Sequence, residues 1–140
     1  MSKIAVVYWS GTGNTAAMAT AVVEGAQEKG AEVSLIYCGE FGADQMDSFD
    51  AVAFGCSSMG SEQLEEGDFE PVFTACEGKL AGKKIALFGS YGWGDGEWMR
   101  NWEDTCRSDG AVFVCDSVIC REAPGEDVLF DCKALGAALV

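Results

Sequence analysis

Three short apolar runs constrain the fold most: Ile4-Ala5-Val6-Val7-Tyr8-Trp9, Ala51-Val52-Ala53-Phe54-Gly55-Cys56 and Ile85-Ala86-Leu87-Phe88-Gly89-Ser90. None alternates apolar with polar residues, so none suits a strand with one face in water. Continuous runs of this kind are strands buried on both faces, as in a parallel sheet. Between them the pattern turns helical. Asn14 to Lys29 is rich in alanine, with Met18, Val22, Val23 and Ala26 close to helical spacing, and Gly30 stops it. Phe69 to Glu77, Glu97 to Ser108 and Asp127 to Leu139 read as further helices, with Pro71 confining the clean part of the first to positions after its opening turn. Ala31 to Cys38 reads as a second strand, and Ala43 to Met46 as at most one short helix. Ala111 to Cys115 reads as a fifth strand, resumed through Ser117 to Ile119. Strands alternating with helices mean βαβ units and an α/β fold, an open doubly wound parallel sheet with helices on both faces. Ligands bind such sheets at the carboxyl ends of the strands, which directs attention to the loops after the first, third and fourth runs.

The chain of 140 residues is the usual size of one domain, expected to span 1–140. No apolar run approaches the roughly 20 residues a membrane-spanning helix needs. The stretch Ile4 to Trp9 is too short for a signal peptide and lacks a cleavage site, so the expected location is cytoplasmic. Seven cysteines, an odd number with no Cys-x-x-Cys spacing, give no iron–sulfur or zinc pattern and read as reduced core thiols. Histidine is absent, which removes the commonest general base and the commonest metal ligand. Chemistry here is therefore expected to come from a bound cofactor. A net charge of −14 disfavours nucleic acid and anionic membranes and favours a basic protein partner.

The first loop, Ser10-Gly11-Thr12-Gly13-Asn14-Thr15, joins the first strand to the first helix. N–H groups at a helix start point outward, and the helix dipole favours an anion there. Gly11 and Gly13 allow a tight turn and close backbone approach, while Ser10, Thr12, Asn14 and Thr15 add neutral donors. The pattern predicts a phosphate. A Walker A loop would need a longer gap and a Gly-Lys pair, which this loop lacks. Gly11-x-Gly13-x-x-Ala16 matches the loose dinucleotide fingerprint, with Glu32 about 20 residues on, so the loop by itself leaves two cofactor classes open. The second loop, Ser57-Ser58-Met59-Gly60-Ser61-Glu62, offers a methionine able to pack on a flat ring beside a glycine peptide able to flip. The third, Gly89-Ser90-Tyr91-Gly92-Trp93-Gly94-Asp95-Gly96, presents an indole between glycines, which suits stacking on a planar ligand.

Together these loops, in their order and spacing along the whole chain, resemble a short-chain flavodoxin. The resemblance implies a five-stranded sheet of order 2-1-3-4-5 with FMN at its switch point. It implies a low-potential one-electron carrier, not an enzyme, whose non-covalent FMN shuttles between semiquinone and hydroquinone. By the same resemblance, Ser10 to Thr15 with Ser57 hold the phosphate, and Met59 and Trp93 cover opposite faces of the ring. The Gly60 carbonyl turns toward flavin N5, and Glu62 accepts a hydrogen bond from flavin N3. Ser58 and Ser61 belong to the same ring-side loop, and backbone groups of Ser90, Tyr91, Gly92, Trp93, Gly94 and Asp95 meet the pyrimidine end and ribityl chain. The long insertion that splits the fifth strand in other flavodoxins is missing. In the loop Cys120-Arg121-Glu122, Arg121 either lies near the pyrimidine edge or pairs with Glu122 or solvent. The alternative function on this fold is an FMN-dependent reductase, for example of quinones.

Glu62, Glu65, Glu66, Asp68 and Glu70 crowd one loop beside the expected ring, with Asp95 and Glu97 near another. One charge about 10 Å away at an effective dielectric of about 40 costs roughly 0.8 kcal/mol, or roughly 35 mV for one electron. Several would lower the potential on the order of 100 mV and steer redox proteins with basic docking surfaces toward a carrier expected to be a monomer.

Overall fold

The computed structural model describes residues 2–140. Its strands are β1 (Lys3–Trp9), β2 (Glu32–Tyr37), β3 (Ala51–Cys56), β4 (Lys84–Tyr91), β5 (Val112–Phe113) and β6 (Val118–Arg121). Its α-helices are α1 (Asn14–Glu28), α2 (Phe69–Cys76), α3 (Glu97–Ser108) and α4 (Glu126–Ala138). The strands form one parallel sheet of order β2-β1-β3-β4-β5, and β6 also pairs with β4. The expected doubly wound sheet is thus the observed one, with β5 and β6 together taking its outermost position.

The fifth run is interrupted between Phe113 and Val118. Val114 still donates to the Ile85 carbonyl at 3.1 Å, but Ser117 turns its hydroxyl onto Glu103 Oε2 at 2.6 Å and leaves the ladder. Pairing with β4 resumes at Phe88↔Val118. The stretch Ala43–Ser48 is a 3₁₀ helix, as are Cys38–Glu40 and Glu77–Lys79.

Alternate residues of the apolar strands face two different cores. Ala5, Val7, Val52, Phe54, Cys56, Ile85 and Leu87 pack with Phe69, Phe73, Trp98 and Trp102 of α2 and α3. Ile4, Val6, Ala51, Ala53, Ala86 and Phe88 pack with Met18, Val22, Cys132 and Leu135 of α1 and α4. This two-sided burial is why the strands read as unbroken apolar runs. On the second face α1 and α4 touch through backbone. A Cβ at Gly136 would lie 2.0 Å from the Val22 carbonyl oxygen, and one at Gly25 would lie 1.9 Å from that of Lys133.

All seven cysteines are free, six of them buried and Cys115 partly so. Burial pushes the Cys38 and Cys76 thiols up to about 11 and the Cys106 and Cys132 thiols up to about 12. These groups stay protonated at neutral pH and act as small hydrophobes.

Candidate functional site

Parallel pairing brings the loops after β1, β3 and β4 to one edge of the sheet. A cleft of about 530 Å³ opens there, within the usual size range of small-molecule sites. Nine of its lining residues are among those expected from the loops: Gly11, Thr12, Asn14, Ser57, Ser58, Met59, Ser90, Tyr91 and Gly92. Trp9, Glu122 and Ala123 line it as well. Trp9 is the last residue of β1 and lies half-buried against Gly11, where a Cβ would meet its ring at 3.0 Å. Its place at the carboxyl end of an apolar strand was the available signal, masked by its apolar character.

The first loop leaves the start of α1 open. Gly13, at φ 95°, is the N-cap of α1, and no side chain caps the helix. The first turn of α1 also carries no acidic residue. The N–H groups of Asn14, Thr15 and Ala16 have no carbonyl one turn back within the helix, so the positive end of α1 faces the cleft. Ser10 Oγ accepts from Gly13 N–H at 3.1 Å and holds the turn. Thr15 is fully buried, its Oγ1 2.7 Å from Ser57 Oγ, and Ser90 N–H donates to the same Thr15 oxygen at 3.3 Å. Ser58 N–H in turn donates to the Ser90 carbonyl at 2.9 Å. One buried hydroxyl thus joins three loops under the cleft. The donor set is neutral, with no Lys or Arg in the lining, and fits a phosphate carried by hydroxyls and backbone N–H groups.

The second loop is a tight hairpin. Met59 and Gln63 exchange two backbone bonds of 2.8 and 3.0 Å, with Gly60 at φ 56° and Glu62 at φ 52° inside the turn. Met59 is 42% exposed, and Ser61 points to solvent. In the third loop Trp93 is 61% exposed, while Trp98 is buried and donates to the Cys56 carbonyl at 3.3 Å. Met59 lines the cleft, whereas Trp93 is not among its lining residues and follows the lining Gly92 in the chain. The fourth loop closes onto the third. Ser90 Oγ donates to the Glu122 carbonyl at 2.6 Å, and Glu122 N–H donates to that of Tyr91 at 2.8 Å. The Arg121 guanidinium lies 5.9 Å from the centroid of the Tyr91 ring, a cleft-lining side chain.

Several acidic side chains are engaged by their own loops. Glu65 Oε1 accepts from Asp68 and Phe69 N–H at 2.7 and 2.8 Å, and its Oε2 accepts from Gly67 N–H at 2.8 Å, so it caps the start of α2. Burial opposes ionisation there, but these three N–H groups outweigh it and hold the carboxyl below its ordinary value. Glu62 Oε1 accepts from the N–H groups of Asp95, Gly96 and Glu97 and so caps α3. Asp95 pairs with Arg100 at 2.9 Å, which lowers the Asp95 pKa. Glu66 accepts from Gln63 Nε2 and Asp68 from the Tyr37 hydroxyl at 3.4 Å, yet both stay exposed, as do Glu70, Glu97 and the cleft-lining Glu122.

No helix among the described residues is long and apolar enough to cross a membrane. The flavodoxin family model matches residues 6–136. The Clostridium beijerinckii flavodoxin is 46% identical over 121 residues, covering 86% of this chain and 88% of that protein. The Megasphaera elsdenii flavodoxin is 44% identical over 135 residues and 96% of each chain. The solution structure of the two-electron reduced Megasphaera elsdenii flavodoxin superposes with a TM-score of 0.89 at 43% identity over 97% of each chain. Sheet order, cleft position and likeness along nearly the whole sequence agree, and the chain belongs to the flavodoxin family of FMN-binding electron carriers.

Proposed function

We propose that the cleft between the loops after β1, β3 and β4 holds FMN and that the protein passes single electrons between redox proteins. When bound, FMN supplies an isoalloxazine ring able to take up and release electrons one at a time. The observation that carries this reading is the uncapped start of α1, facing a cleft lined by neutral hydroxyls and by Met59, with the exposed Trp93 next in the chain after the lining Gly92. Ser10, Gly11, Thr12, Gly13, Asn14, Thr15 and Ser57 serve the phosphate. Ser58, Met59, Gly60, Ser61 and Glu62 serve one side of the ring. Ser90, Tyr91, Gly92, Trp93, Gly94 and Asp95 serve its other side and its edge.

The acids Glu66, Asp68 and Glu70 oppose added negative charge on the cofactor and offer a docking face to basic partners. Free, buried thiols suit a reducing compartment such as the cytoplasm. The test is spectroscopic. Protein stripped of flavin is titrated with FMN, and the loaded protein is then mixed with NAD(P)H alone. Stoichiometric uptake with no bleaching by NAD(P)H is expected. Failure to take up FMN would sink the cofactor assignment, and direct bleaching would favour a reductase.

A further inference from the structure

The carboxylate of Glu62 joins two loops within the protein itself. It starts in the hairpin after β3 and ends on α3, where Oε1 accepts from the N–H groups of Asp95 at 3.3 Å, Gly96 at 3.2 Å and Glu97 at 3.0 Å. Two unusual backbone features serve this reach. Glu62 itself adopts a left-handed φ of 52°, which a residue with a side chain avoids unless held there. Gly94, at φ 86°, leaves the slot that the carboxylate fills, since a Cβ there would lie 2.2 Å from Glu62 Cδ and 2.4 Å from Oε1. The hairpin carrying Glu62 is closed by the paired Met59–Gln63 bonds. The loop receiving it runs from Trp93 into α3. Fixing Glu62 on α3 therefore fixes Met59 and Gly60 relative to Trp93.

We propose that Glu62 is a positioning residue: it clasps the Met59–Gly60 hairpin to the Trp93 loop and sets the gap between them before the cofactor enters. This rests on the reading of the cleft as the FMN site. One carboxylate oxygen, Oε1, carries the three helix-capping bonds. Glu62 thus has a role separate from the N3 contact the family resemblance implies, because the clasp needs no flavin.

Amide hydrogen exchange at Asp95, Gly96 and Glu97 tests the clasp directly, in FMN-loaded and in stripped protein. In wild type these amides should be protected in both states. Glu62→Ala and Gly94→Ala should each speed their exchange about fivefold to tenfold, while core strand amides stay protected and show that the fold persists. Glu62→Gln keeps an acceptor oxygen and should retain most of the protection. FMN affinity should fall in both Glu62→Ala and Gly94→Ala, and the double variant should bind no worse than the weaker single one. Gly94→Ala keeps every charge, so a shift of the last-electron potential in the same direction as in Glu62→Ala marks positioning rather than charge. Unprotected amides in stripped wild type, or fully additive losses in the double variant, would overturn the clasp. Stripped wild type that shows protected amides yet takes up no FMN would overturn the cofactor reading, and with it the part of the proposal that concerns the ring gap.

Discussion

The hydroxyl oxygens of Thr15 and Ser57 lie 2.7 Å apart, one opening α1 and the other ending the chain's passage through β3. Thr15 also receives the Ser90 N–H, so its loss would leave a buried donor unpaired and Ser57 unaimed. Thr15→Val, which keeps the volume, should weaken FMN by about 1–2 kcal/mol, roughly a factor of ten. Riboflavin, which lacks the phosphate, should weaken much less. Parallel fluorescence titrations with the two flavins check this, and equal losses for both would point to general distortion of the cleft.

Trp93 and Trp98 should separate binding from stability. Trp93 is 61% exposed and Trp98 is 2% exposed. Trp93→Ala should leave unfolding within about 0.5 kcal/mol of wild type in the stripped protein while weakening FMN and riboflavin alike, by about 1 kcal/mol or more. Trp98→Ala should cost about 3–5 kcal/mol of stability. Urea titrations beside flavin titrations distinguish the two.

Glu66→Gln, Asp68→Asn and Glu70→Gln combined should raise the potential of the last electron by tens of millivolts, less at high salt. Asp95→Asn should do less, because Arg100 already balances that carboxylate. Arg121→Ala removes a cation from the Tyr91 ring and should lower the same potential. Potentiometry on loaded protein at two salt concentrations reads all three effects, and an unchanged value in the triple variant would confine tuning to ring contacts.

Acid should weaken the protein partly through Glu65. Its folded carboxyl ionises below the ordinary value of 4.5, so the folded state binds the proton less readily than the unfolded chain. That stabilisation is complete above the unfolded value and is lost as pH falls through the folded one. Glu77 runs the other way. Burial, then the neighbouring Asp109 carboxylate, raises its pKa, so stability drains as pH rises from the unfolded value through the folded one. Glu65→Gln should flatten the acid limb of stability against pH, and Glu77→Gln should steepen it, as measured by urea unfolding between about pH 3 and 6.

Gly136→Ala places a methyl 2.0 Å from the Val22 carbonyl oxygen and must push α1 and α4 apart. A loss of about 3 kcal/mol is expected, read by thermal unfolding. The start of α1 belongs to the cleft, so FMN affinity should fall too.

The architecture was legible because both faces of the sheet are covered, which turns each strand into an apolar run that needs no partner to be recognised. The shape of the first loop was legible because a glycine turn and small hydroxyls before a helix make a local pattern. Glu62 was read as a field charge and a partner of flavin N3, and Glu65 only as a field charge, neither as a helix cap. Their capping bonds join residues 33 to 35 apart in the first case and two to four apart in the second, and an acidic stretch before a helix does not say which carboxylate turns inward. The contribution of Trp9 and Glu122 to the cleft depends on strand register and on a left-handed turn at φ 59°, neither of which leaves a mark in composition.

The uncapped start of α1 sits in a protein of net charge −14. A phosphate dianion approaching it is repelled at long range and welcomed only over the last few ångströms, where the N–H groups and hydroxyls act. Salt shortens the reach of the repulsion to about 10 Å at 0.1 M and leaves the short-range bonds nearly untouched. Capture is then the step that ionic strength should accelerate, while release depends on bonds that salt barely reaches. Raising the salt should therefore speed uptake of the cofactor and leave its release nearly unchanged, as stopped-flow mixing would read.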